Sequence, residues 1–388
     1  MSMSKVCPAS RQRRRTERPQ GLRWRSCMAA AFFFLACDQP PPEADAVRLS
    51  GESMGTTYQV TLAAPPLAPA ERAALQTEID ELLSRISRLT SAYDPDSEVS
   101  RFNRHRGAAP FPVSAETTEI VRSALRFAEQ TSGAFDPTVA PLVELWGFGP
   151  GQKREGVPSD PEIAQALRSV GFQHLEVIQD PPSLRKDIPD LRLDLNAIVP
   201  GYAVDQVAAL LSKKGFTDFL VELGGELFAA GLNPQGARWQ VGIELPDPAS
   251  PPGARLSAVI PISNAAVADS GSYRKYFVRD GKRFSHLIDP RTGRPVTHLL
   301  ASATVLAPTC MEADAAATAL MALGPQEGLV WFRGHPGWEA LLLIGREDGG
   351  QGDAVPGAGP SSSRGGGGGF AQVTTKGFPP VTPAAAAP

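Results

Sequence analysis

Two oxygen-bearing side chains, Asp314 and Thr318, stand four residues apart in the segment CMEADAAATAL. In a helix, residues at i and i+4 share one face, so this carboxylate and this hydroxyl would project the same way. Hard oxygen ligands of this kind suit a divalent cation such as Mg²⁺, which takes few protein oxygens and completes its shell with water or phosphate. The same spacing also fits an ordinary surface helix in which Asp314 caps or pairs locally, so the pair alone leaves both interpretations open.

The segments around this pair have strand patterns. SATVLAP predicts a strand that leads into the helix of Asp314, and EALLLI predicts a strand after it. Asp280-Gly281, between KYFV and RFSHLI, is a strong hairpin signal. Further strands are indicated by TTYQVTLAA, WQVGIEL and LSAVIPIS, and by DFLVELGGELFAAG, which turns at Gly224 and Gly225.

Other segments have the apolar period of helices. One begins near Pro69, a residue suited to a first helical turn, and the others span residues 115–130, 161–170 and 201–214. Gly133 and Gly215 follow two of them, where glycine commonly ends a helix. This mixture of helices and consecutive strands predicts an α+β fold with a largely antiparallel sheet.

Composition and charge exclude one class of partner. The chain has 388 residues, 42% hydrophobic and 20% charged, which suffices for a large domain with a substantial core. Residues 1–36 carry +7, and because the whole chain carries −3, residues 37–388 carry −10. Such an acidic body has no basic footprint for nucleic acid, so we expect no nucleic-acid partner.

The basic start runs into SCMAAAFFFLAC, which has the length of a signal-peptide core and is too short to span a membrane. The ending FLAC at Cys37 is similar to the lipobox of bacterial lipoproteins, although Phe34 stands where Leu is usual. We expect residues 1–36 to be a signal peptide of the lipoprotein type and Cys37 to be acylated. The protein would then be an exported lipoprotein of the inner membrane that faces the periplasm. The alternative is removal of the signal peptide without attachment of a lipid.

The rest of the chain divides by composition. Residues 37–49 contain DQPPPEAD and read as an extended tether, and residues 50–347 form the expected folded domain. Residues 348–388 are rich in Gly and Pro, so we expect them to be disordered. Cys310 is the cysteine left in the folded domain, and with no obvious activating neighbour it is expected to be a buried structural thiol.

Eight motifs occur in one order along the chain. They are ESMGTTY, TSAYDPDSEVSRFN, TSGAFDPTVAPLVELWGF, LDLNAIVPGYAVD, VELGGEL, VADSGSYRKYF, HLIDPRTGRPV and EADAAATAL. Together, over residues 50–345, they resemble the bacterial flavin transferases of the ApbE family, which move FMN from FAD onto a protein Thr or Ser. The resemblance implies a T-fold-like α+β body in which FAD occupies a cleft between two intertwined halves.

The resemblance also completes the cation site. It adds a backbone carbonyl that falls on Ala197 in the DLNAIVPG turn, and main-chain oxygen is a suitable hard ligand beside Asp314 and Thr318. Mg²⁺ held there would bridge the pyrophosphate of FAD, the substrate, and make AMP a better leaving group.

Further family positions are implied to contact FAD. They fall on Met54, Tyr93, Ala134, Phe135, Asp136, Asp194, Pro200 and Ile288. Apolar and aromatic groups suit a ring system, and the two carboxylates suit ribose hydroxyls or an adenine nitrogen. Alternatives stay open: core packing for Met54, Phe135 and Ile288, and a helix N-cap for Asp136.

Position 200 departs from the family pattern, which usually has Lys or Glu before the Gly-Tyr pair. Pro200 lacks both a polar side chain and a backbone donor, so a charged contact is lost there and packing against adenine is what remains. Asp205 matches the end of the family's GYAVD motif, and we interpret it as a supporting residue for the cation site or a structural helix contact.

The transfer implied by the resemblance needs a base for the acceptor hydroxyl, because a protonated Thr or Ser is a poor nucleophile. His286 is the leading candidate, and Asp289 would orient it or reach the substrate hydroxyl. The competing interpretation is that His286 only stacks on or hydrogen-bonds the cofactor. Ser270, Gly271 and Tyr273 are expected to shape the pocket wall, and Arg274 to contact phosphate.

The segment TSGAF is similar to the acceptor sequences of flavinylated proteins, which have an Asp-Gly start and a Ser-Gly-Ala-Thr/Ser core. It lacks that start and the terminal hydroxyl residue, so it is better interpreted as part of the FAD site than as a self-modification site.

The sequence therefore predicts a Mg²⁺-dependent FAD:protein FMN transferase that releases AMP. Family analogy makes exported domains of membrane redox complexes the expected acceptors. Two alternatives stay open at this point: a metal-dependent FAD pyrophosphatase that yields FMN and AMP, and a flavin-binding lipoprotein without catalysis.

Overall fold

The structure, a computed structural model, describes residues 46–151, 154, 156–251, 253–345 and 369–383. The predicted signal peptide, Cys37 and most of the predicted tether therefore lie outside the described residues. Within the described ranges, no helix is long and apolar enough to cross a membrane.

The described part of the chain contains eighteen strands. In chain order they are β1 (Val47–Ser53), β2 (Thr56–Leu62), β3 (Phe111–Pro112), β4 (Leu175–Gln179), β5 (Pro182–Lys186), β6 (Phe219–Leu223), β7 (Glu226–Ala230), β8 (Trp239–Glu244), β9 (Leu256–Ile262), β10 (Ala265–Gly271), β11 (Tyr276–Arg279), β12 (Lys282–Ser285), β13 (Ile288–Asp289), β14 (Arg294–Pro295), β15 (Leu300–Ala307), β16 (Glu339–Gly345), β17 (Phe370–Thr374) and β18 (Thr382–Pro383).

Seven α-helices and a 3₁₀ turn at Phe172–His174 accompany these strands in the described ranges. They are α1 (Pro69–Thr90), α2 (Glu98–Arg104), α3 (Ala115–Gln130), α4 (Ala140–Leu145), α5 (Asp160–Leu167), α6 (Val199–Lys213) and α7 (Cys310–Phe332). The last of them is interrupted at Gly324, which has φ 77° and precedes Pro325.

One large sheet organises the molecule. Its eight strands follow the order β1-β2-β6-β7-β10-β15-β16-β17, and every neighbouring pair is antiparallel. A three-stranded sheet, β18-β9-β8, and another of β3, β5 and β4 stand beside it. The predicted α+β fold with a largely antiparallel sheet is confirmed.

The large sheet is covered on both faces. Helices pack on one face and form the helical core, which includes Val60, Ile79, Leu83, Ile120, Val204, Val305 and Leu320. The β18-β9-β8 sheet packs on the other face and forms the sheet core, which includes Leu227, Trp239, Val241, Ile260, Val267 and Leu341. Strand β16 serves both, because Leu342 points to the helical core while Leu341 and Leu343 point to the sheet core. Burial on both faces explains the continuous apolar run EALLLI.

Helix α7 lies deepest in the helical core. Its first turns are rich in alanine and are buried almost all round, from Ala313 to Leu320 apart from Thr318. Small side chains allow the close approach of α6 on one side and of β10 and β15 on the other. The helix start that was expected to carry the cation ligands is thus held in the centre of the domain.

Four regions differ from the sequence prediction. Residues 98–104 and 140–145 form short helices, and residues 175–186 form a hairpin, where no regular element was expected. The expected disorder of residues 348–388 is wrong for residues 369–383, because β17 pairs with β16 and β18 pairs with β9. Val373 is buried, and Phe370, Phe378 and Val381 pack on the sheet core, so this Gly- and Pro-rich segment does contain enough apolar surface to order it. The rest of that tail lies outside the described residues.

Candidate active site

The start of α6 packs directly on the start of α7. The Gly201 amide donates a hydrogen bond of 3.0 Å to Oδ2 of Asp314. A Cβ at position 201 would lie 2.3 Å from the Cys310 carbonyl oxygen, so only glycine permits this approach. The Gly-Tyr pair of the fourth motif therefore positions the carboxylate of the eighth.

Asp205, one turn further along α6, caps α7. Its Oδ1 accepts from the Cys310 amide at 2.7 Å, and its Oδ2 accepts from the Met311 amide at 2.9 Å. These are amides of a first helical turn, which have no partner inside the helix, and a carboxylate there is also stabilised by the helix dipole. Of its two interpretations, the structural helix contact is the one these bonds support.

The surroundings of the Asp314 carboxylate disfavour its charged form. The side chain is 6% exposed, and burial raises its pKa to about 7, whereas the Gly201 hydrogen bond acts in the opposite direction. Glu226, at the start of β7, is half-buried, and its pKa is raised by burial and by the charge of Asp314. Because the two charges disfavour each other, binding of a proton or a cation by one of the carboxylates is favoured.

The donor set around Asp314 fits a hard cation. Thr318 is half-buried, and its hydroxyl has no hydrogen-bond partner among the described residues. Ala197 lies in the turn that leads into α6, so its carbonyl belongs to the same end of that helix. Within the described ranges there is no group of three or more His, Cys, Asp or Glu residues that could hold a metal, so a cation here would depend on hydroxyl and main-chain oxygens as well.

The α6 start offers no amide for a phosphate. The amides of Ile198 and Val199 donate to the Leu195 carbonyl at 3.2 and 3.0 Å, and Pro200 has none. The next amide, that of Gly201, is bonded to Asp314. A phosphate at this helix end would therefore need charge neutralisation from elsewhere, for which a cation is suited.

Three of the apolar residues predicted to contact FAD have buried side chains. Ala134 is 2% exposed and packs with Ala322 and Leu323, and Phe135 is 4% exposed within the helical core. Ile288 is 7% exposed and packs against Trp146. The core-packing alternative fits these side chains, so any contact with FAD at these positions would come from their backbone.

Asp136 stabilises its own loop. Its Oδ1 accepts from the amide and the hydroxyl of Thr138 at 2.8 and 2.7 Å, and its Oδ2 accepts from the Phe172 amide at 3.0 Å. Burial raises the pKa of Asp136, and these hydrogen bonds lower it. The helix that follows, α4, has Val139 as its N-cap, so Asp136 stabilises the turn before the helix rather than capping it.

Tyr93 and Asp194 line one cavity of about 240 Å³. Its walls include Tyr93, Asn103, Arg104, Val143, Glu144, Arg192 and Asp194. Ligand pockets usually measure about 300–1,000 Å³, so this cavity would take part of FAD. Tyr93 is 63% exposed, which leaves its ring free to stack.

Hydrogen bonds between distant motifs build the wall around Asp194. Asn103 clamps the neighbouring Leu193 backbone through bonds of 2.9 and 2.7 Å, and the Asp194 amide donates to the Pro137 carbonyl at 2.8 Å. Arg192 pairs with Glu144 at 2.6 Å on the same wall. The second, third and fourth motifs thus meet at this cavity.

Met54 occupies a separate pocket. It has φ 52° and Gly55 has φ 76°, as a type I′ hairpin turn between β1 and β2 requires. The turn lines a polar pocket of about 420 Å³ together with Asp80, Ser84, Ser87 and Arg88 of α1. Met54 also packs against the helical core, so its sulfur-bearing side chain connects that core to the pocket.

The hydrogen bond of the His286 ring determines which of its two nitrogens can act as an acceptor. Its Nδ1 lies 3.1 Å from the Lys275 carbonyl oxygen, and because a carbonyl only accepts, Nδ1 carries the proton. Nε2 is then left with a lone pair. Burial and the Lys275 charge lower the pKa of His286 to about 4, which keeps the ring neutral, and Phe148 packs edge-on with centroids 6.2 Å apart.

Lys275 connects His286 to the cavity. Burial raises the pKa of Asp194, and the positive charge of Lys275 lowers it. The same charge acts on His286. Asp194 and His286 therefore lie within electrostatic reach of one side chain.

Asp289 is engaged by its neighbour. Arg291 forms a two-pronged ion pair with it, Nε to Oδ1 at 3.0 Å and Nη2 to Oδ2 at 3.1 Å, and also pairs with Glu327 at 3.0 Å. The Lys275 carbonyl is the hydrogen-bond partner of the His286 ring, and Asp289, for which orientation of His286 was one of two expected roles, is paired with Arg291 instead. Asp289 keeps its other predicted task, contact with the substrate hydroxyl, as a prediction.

Arg274 is likewise committed. It pairs with Glu244, donates to the Ser250 carbonyl at 3.2 Å and covers the Tyr273 ring, whose hydroxyl donates to Glu244 at 2.9 Å. Gly271 lies against that ring, since a Cβ there would approach it to 2.4 Å. Gly271 and Tyr273 thus pack on each other, and their role in the pocket wall stays a prediction, whereas the guanidinium expected to bind phosphate has protein partners.

Sequence reasoning assigned no role to three groups of the site. Glu226 stands inside the VELGGEL motif, Lys275 stands inside VADSGSYRKYF, and Arg291 stands inside HLIDPRTGRPV. Each is polar within a recognised motif, which is the signal that could have found them. Glu226 and Lys275 act on residues of other motifs, and Arg291 binds both Asp289 and the distant Glu327, so spacing alone does not identify these contacts.

The model of the ApbE family matches residues 54–342. Among similar proteins, the FAD:protein FMN transferase of Vibrio cholerae is 40% identical over 326 residues, which cover 84% of this chain and 95% of that protein. The proteins of the same name from Salmonella typhimurium and Escherichia coli K12 are 44% and 42% identical, and the matches cover 78% and 77% of this chain and 86% of each relative.

Solved structures agree with these sequence matches. The flavin transferase ApbE from Vibrio cholerae has a TM-score of 0.70 at 40% identity, and the match covers 79% of this chain and 95% of that one. The apo form of the Pseudomonas stutzeri flavinyl transferase ApbE has a TM-score of 0.71 at 35% identity, with 86% and 95% covered.

Proposed function

Because the chain belongs to the ApbE family, we propose that it transfers FMN from FAD to a Thr or Ser hydroxyl of an acceptor protein and releases AMP. The observation that best supports this at the level of residues is the helix junction at Gly201 and Asp314. It combines a buried carboxylate, a hydroxyl one turn along α7 and a helix start, and among the described residues the hydroxyl has no hydrogen-bond partner and the helix start no free amide. Such a site suits a cation that carries a pyrophosphate.

Asp314, Thr318 and the Ala197 carbonyl would hold Mg²⁺ in this proposal. When bound, the cation would offset the pyrophosphate charge and stabilise AMP as the leaving group. Burial disfavours the negative charge of Asp314, and the charges of Asp314 and Glu226 disfavour each other. A cation bound to Asp314 would offset these charges, which favours its binding.

His286 would act as the base. Its Nε2 would accept the proton of the acceptor hydroxyl as that oxygen attacks the FMN phosphorus. The bond from that phosphorus to the oxygen bridging to AMP breaks, AMP leaves with the bonding electron pair, and the proton passes from His286 to solvent. The Lys275 carbonyl fixes the tautomer that this step needs.

FAD would lie across the cavity lined by Tyr93 and Asp194 and the polar pocket lined by Met54. Tyr93 would stack on one ring system, Asp194 would accept hydrogen bonds, and Met54 would add apolar contact. Pro200, in the first turn of α6, would add a further apolar contact. Ala134, Phe135 and Ile288 would contribute main-chain groups, because their side chains are buried. Asp136 would act with them by fixing that backbone.

One incubation tests the proposal. The full chain is mixed with FAD, Mg²⁺ and a synthetic peptide that has the Asp-Gly start and the Ser-Gly-Ala-Thr core, and the peptide mass is measured. An FMN adduct that Asp314→Asn abolishes and that the control Asp218→Asn leaves intact supports transfer, since Asp218 caps an exposed loop instead. FMN and AMP without an adduct would indicate a pyrophosphatase, and unchanged bound FAD would indicate a binding protein.

We propose further that the protein is exported and lipid-anchored at Cys37, with exported domains of membrane redox complexes as its acceptors. The support is the sequence of residues 1–37 together with the acidic charge of the remainder. Labelling of cells with a fatty-acid analogue should mark the wild-type chain and leave Cys37→Ser unlabelled. Label retained in that variant would place the modification elsewhere.

A further inference from the structure

The hairpin directly before His286 is exposed and positively charged. We call residues 275–285, with strands β11 and β12 and the turn Asp280-Gly281, the basic hairpin. It contains Lys275, Arg279, Lys282 and Arg283 against the one acid Asp280, whereas residues 37–388 together carry −10. A local excess of cations on an acidic body needs an explanation, because it is not a consequence of overall composition.

These cations have few partners. Lys275, Arg279 and Lys282 form no ion pair with any residue that the structure describes. Arg283 is used internally, since it lies over the Tyr276 ring at 4.3 Å. Unpaired charges at the surface are available to a partner and attract one of opposite sign.

The basic hairpin is firmly seated on the domain. Phe284 stacks on Trp146 with centroids 5.6 Å apart, and Phe277 stacks on Phe148 at 5.8 Å. The opposite face presents Val278, which is 60% exposed. A fixed hairpin with an apolar outer face and charged flanks is a preformed surface, so little ordering would oppose binding.

Both edges of the basic hairpin are free. Among the residues that the structure describes, β11 and β12 pair with no strand except each other, so each has an outer row of amides and carbonyls without a strand partner there. An extended segment of another protein can add to such an edge as a further strand. Cationic side chains beside the edge would select a segment with acidic side chains.

His286, the candidate catalytic residue, directly follows the basic hairpin. The His286 amide donates to the Lys275 carbonyl at 3.0 Å, and its ring donates to the same oxygen. A strand laid along four residues covers about 13 Å, so a segment bound at the tip would extend to His286. The hairpin therefore leads a bound segment to the site of proton transfer.

We infer that the basic hairpin is the docking surface for the acceptor protein, which it binds through an extended acidic segment next to the acceptor hydroxyl. This inference rests on the proposed function. The partner is thus defined by chemistry: acidic side chains in an extended chain that flanks the modified Thr or Ser.

Two synthetic peptides test the docking surface. Both have the Asp-Gly start and the Ser-Gly-Ala-Thr core, and their flanks contain either Asp and Glu or the uncharged Asn and Gln. We expect the acidic peptide to have a KM about tenfold lower than the neutral peptide at low salt, and the difference to shrink at high salt. Equal KM values for the two peptides would overturn the inference.

Charge reversal locates the effect. The double variant Arg279→Glu/Lys282→Glu should lose the preference for the acidic peptide, with FAD binding and kcat at saturating peptide unchanged. The matched control is Lys213→Glu/Arg238→Glu. Lys213 is the last residue of α6, and Arg238 directly precedes β8, at the end of that strand opposite Glu244. A preference that survives in the hairpin variant, or disappears in the control, would also overturn the inference.

Binding without chemistry separates this inference from the proposed function. Peptides with Val in place of the acceptor Thr are titrated against the chain by fluorescence anisotropy. If no adduct ever forms but the acidic peptide still binds about tenfold more tightly through Arg279 and Lys282, the docking surface stands and the transfer reaction fails. If adducts form and both Val peptides bind equally, the transfer stands and the docking surface fails.

Discussion

The Gly201 amide and the Asp314 carboxylate are joined by a hydrogen bond of 3.0 Å that ties the first turn of α6 to the second turn of α7. The contact exists because no side chain separates the two helices at this point. It also leaves Oδ1 of Asp314 without a hydrogen-bond partner among the described residues. One carboxylate thus holds the helix junction with one oxygen and offers the other to a ligand.

Gly201→Ala should damage stability and activity together. A Cβ there would lie 2.3 Å from the Cys310 carbonyl oxygen and 2.8 Å from the Met311 amide, so the helices must separate. We expect a loss of about 1–3 kcal/mol in the free energy of unfolding, measured with urea, and a lower rate of FMN transfer. Gly151→Ala is the control, because a Cβ there meets nothing within 4 Å. Equal stability of the two variants would contradict the close packing.

Mg²⁺ should stabilise the protein more as pH rises. Burial raises the pKa of Asp314 to about 7, above its value of about 3.9 in an unfolded chain, so this group alone makes the free protein lose stability between about pH 4 and 7. A cation needs the deprotonated carboxylate, so the Mg²⁺-dependent increase in Tm should be small at pH 5.5 and larger at pH 8. Asp314→Asn should remove the increase at both values, and an increase independent of pH would speak against this ligand.

His286→Asn should lower kcat about 10²–10⁴-fold and leave FAD binding unchanged. The asparagine amide can still donate to the Lys275 carbonyl, as Nδ1 does, but it provides no base. Because the pKa of His286 is lowered to about 4, its protonation should not limit the wild-type rate at pH 5–8. The lowered pKa also means that this group favours folding more as pH rises from about 4 to 6.5. If the variant instead loses FAD binding with kcat preserved, His286 is a cofactor contact.

Tyr93→Ala should weaken FAD binding and leave folding intact. The ring is 63% exposed on the rim of the cavity, so its loss should change stability by less than about 0.5 kcal/mol. Loss of stacking should raise the Kd for FAD roughly fivefold or more, measured by quenching of flavin fluorescence. Tyr93→Phe keeps the ring and should bind like wild type, and a similar loss in both variants would assign the contact to the hydroxyl.

A chain that stops at residue 368 should be much less stable. It would lack β17 and β18, expose the edge of β16 and uncover the part of the sheet core beneath Phe370 and Phe378. We expect a loss of at least about 3 kcal/mol in the free energy of urea unfolding. A chain that stops at residue 383 is the control and should unfold like the full chain, and equal midpoints for both truncations would show that the two strands contribute nothing.

The parts of the fold that could be predicted depend on local patterns. The apolar period of α1 and the Asp280-Gly281 turn lie within a few residues, so each element is readable by itself. Strand β17 could not be found this way, because its partner β16 precedes it by about 30 residues and its composition is that of a disordered tail. The short helix α2 and the β4–β5 hairpin fell in segments rich in turn residues, where tertiary contacts decide the conformation.

For the site, the motif order identified segments but not the partners of their side chains. Orientation of His286 was one of two roles expected for Asp289, yet Arg291 two residues away binds its carboxylate. The group that orients His286 is a main-chain oxygen, which every residue has and no motif marks. Likewise Glu226, whose pKa is raised by the charge of Asp314, comes from a strand almost 90 residues earlier. These contacts follow from packing, and sequence spacing does not contain them.

The first and last strands of the large sheet are its two outer edges. Six strands separate β1 from β17, and at about 4.8 Å per neighbour the edges lie about 34 Å apart along the sheet. Fluorophores placed on β1 and β17 would therefore report opening of the sheet by energy transfer, with each label on a strand that has a single neighbour among the described strands.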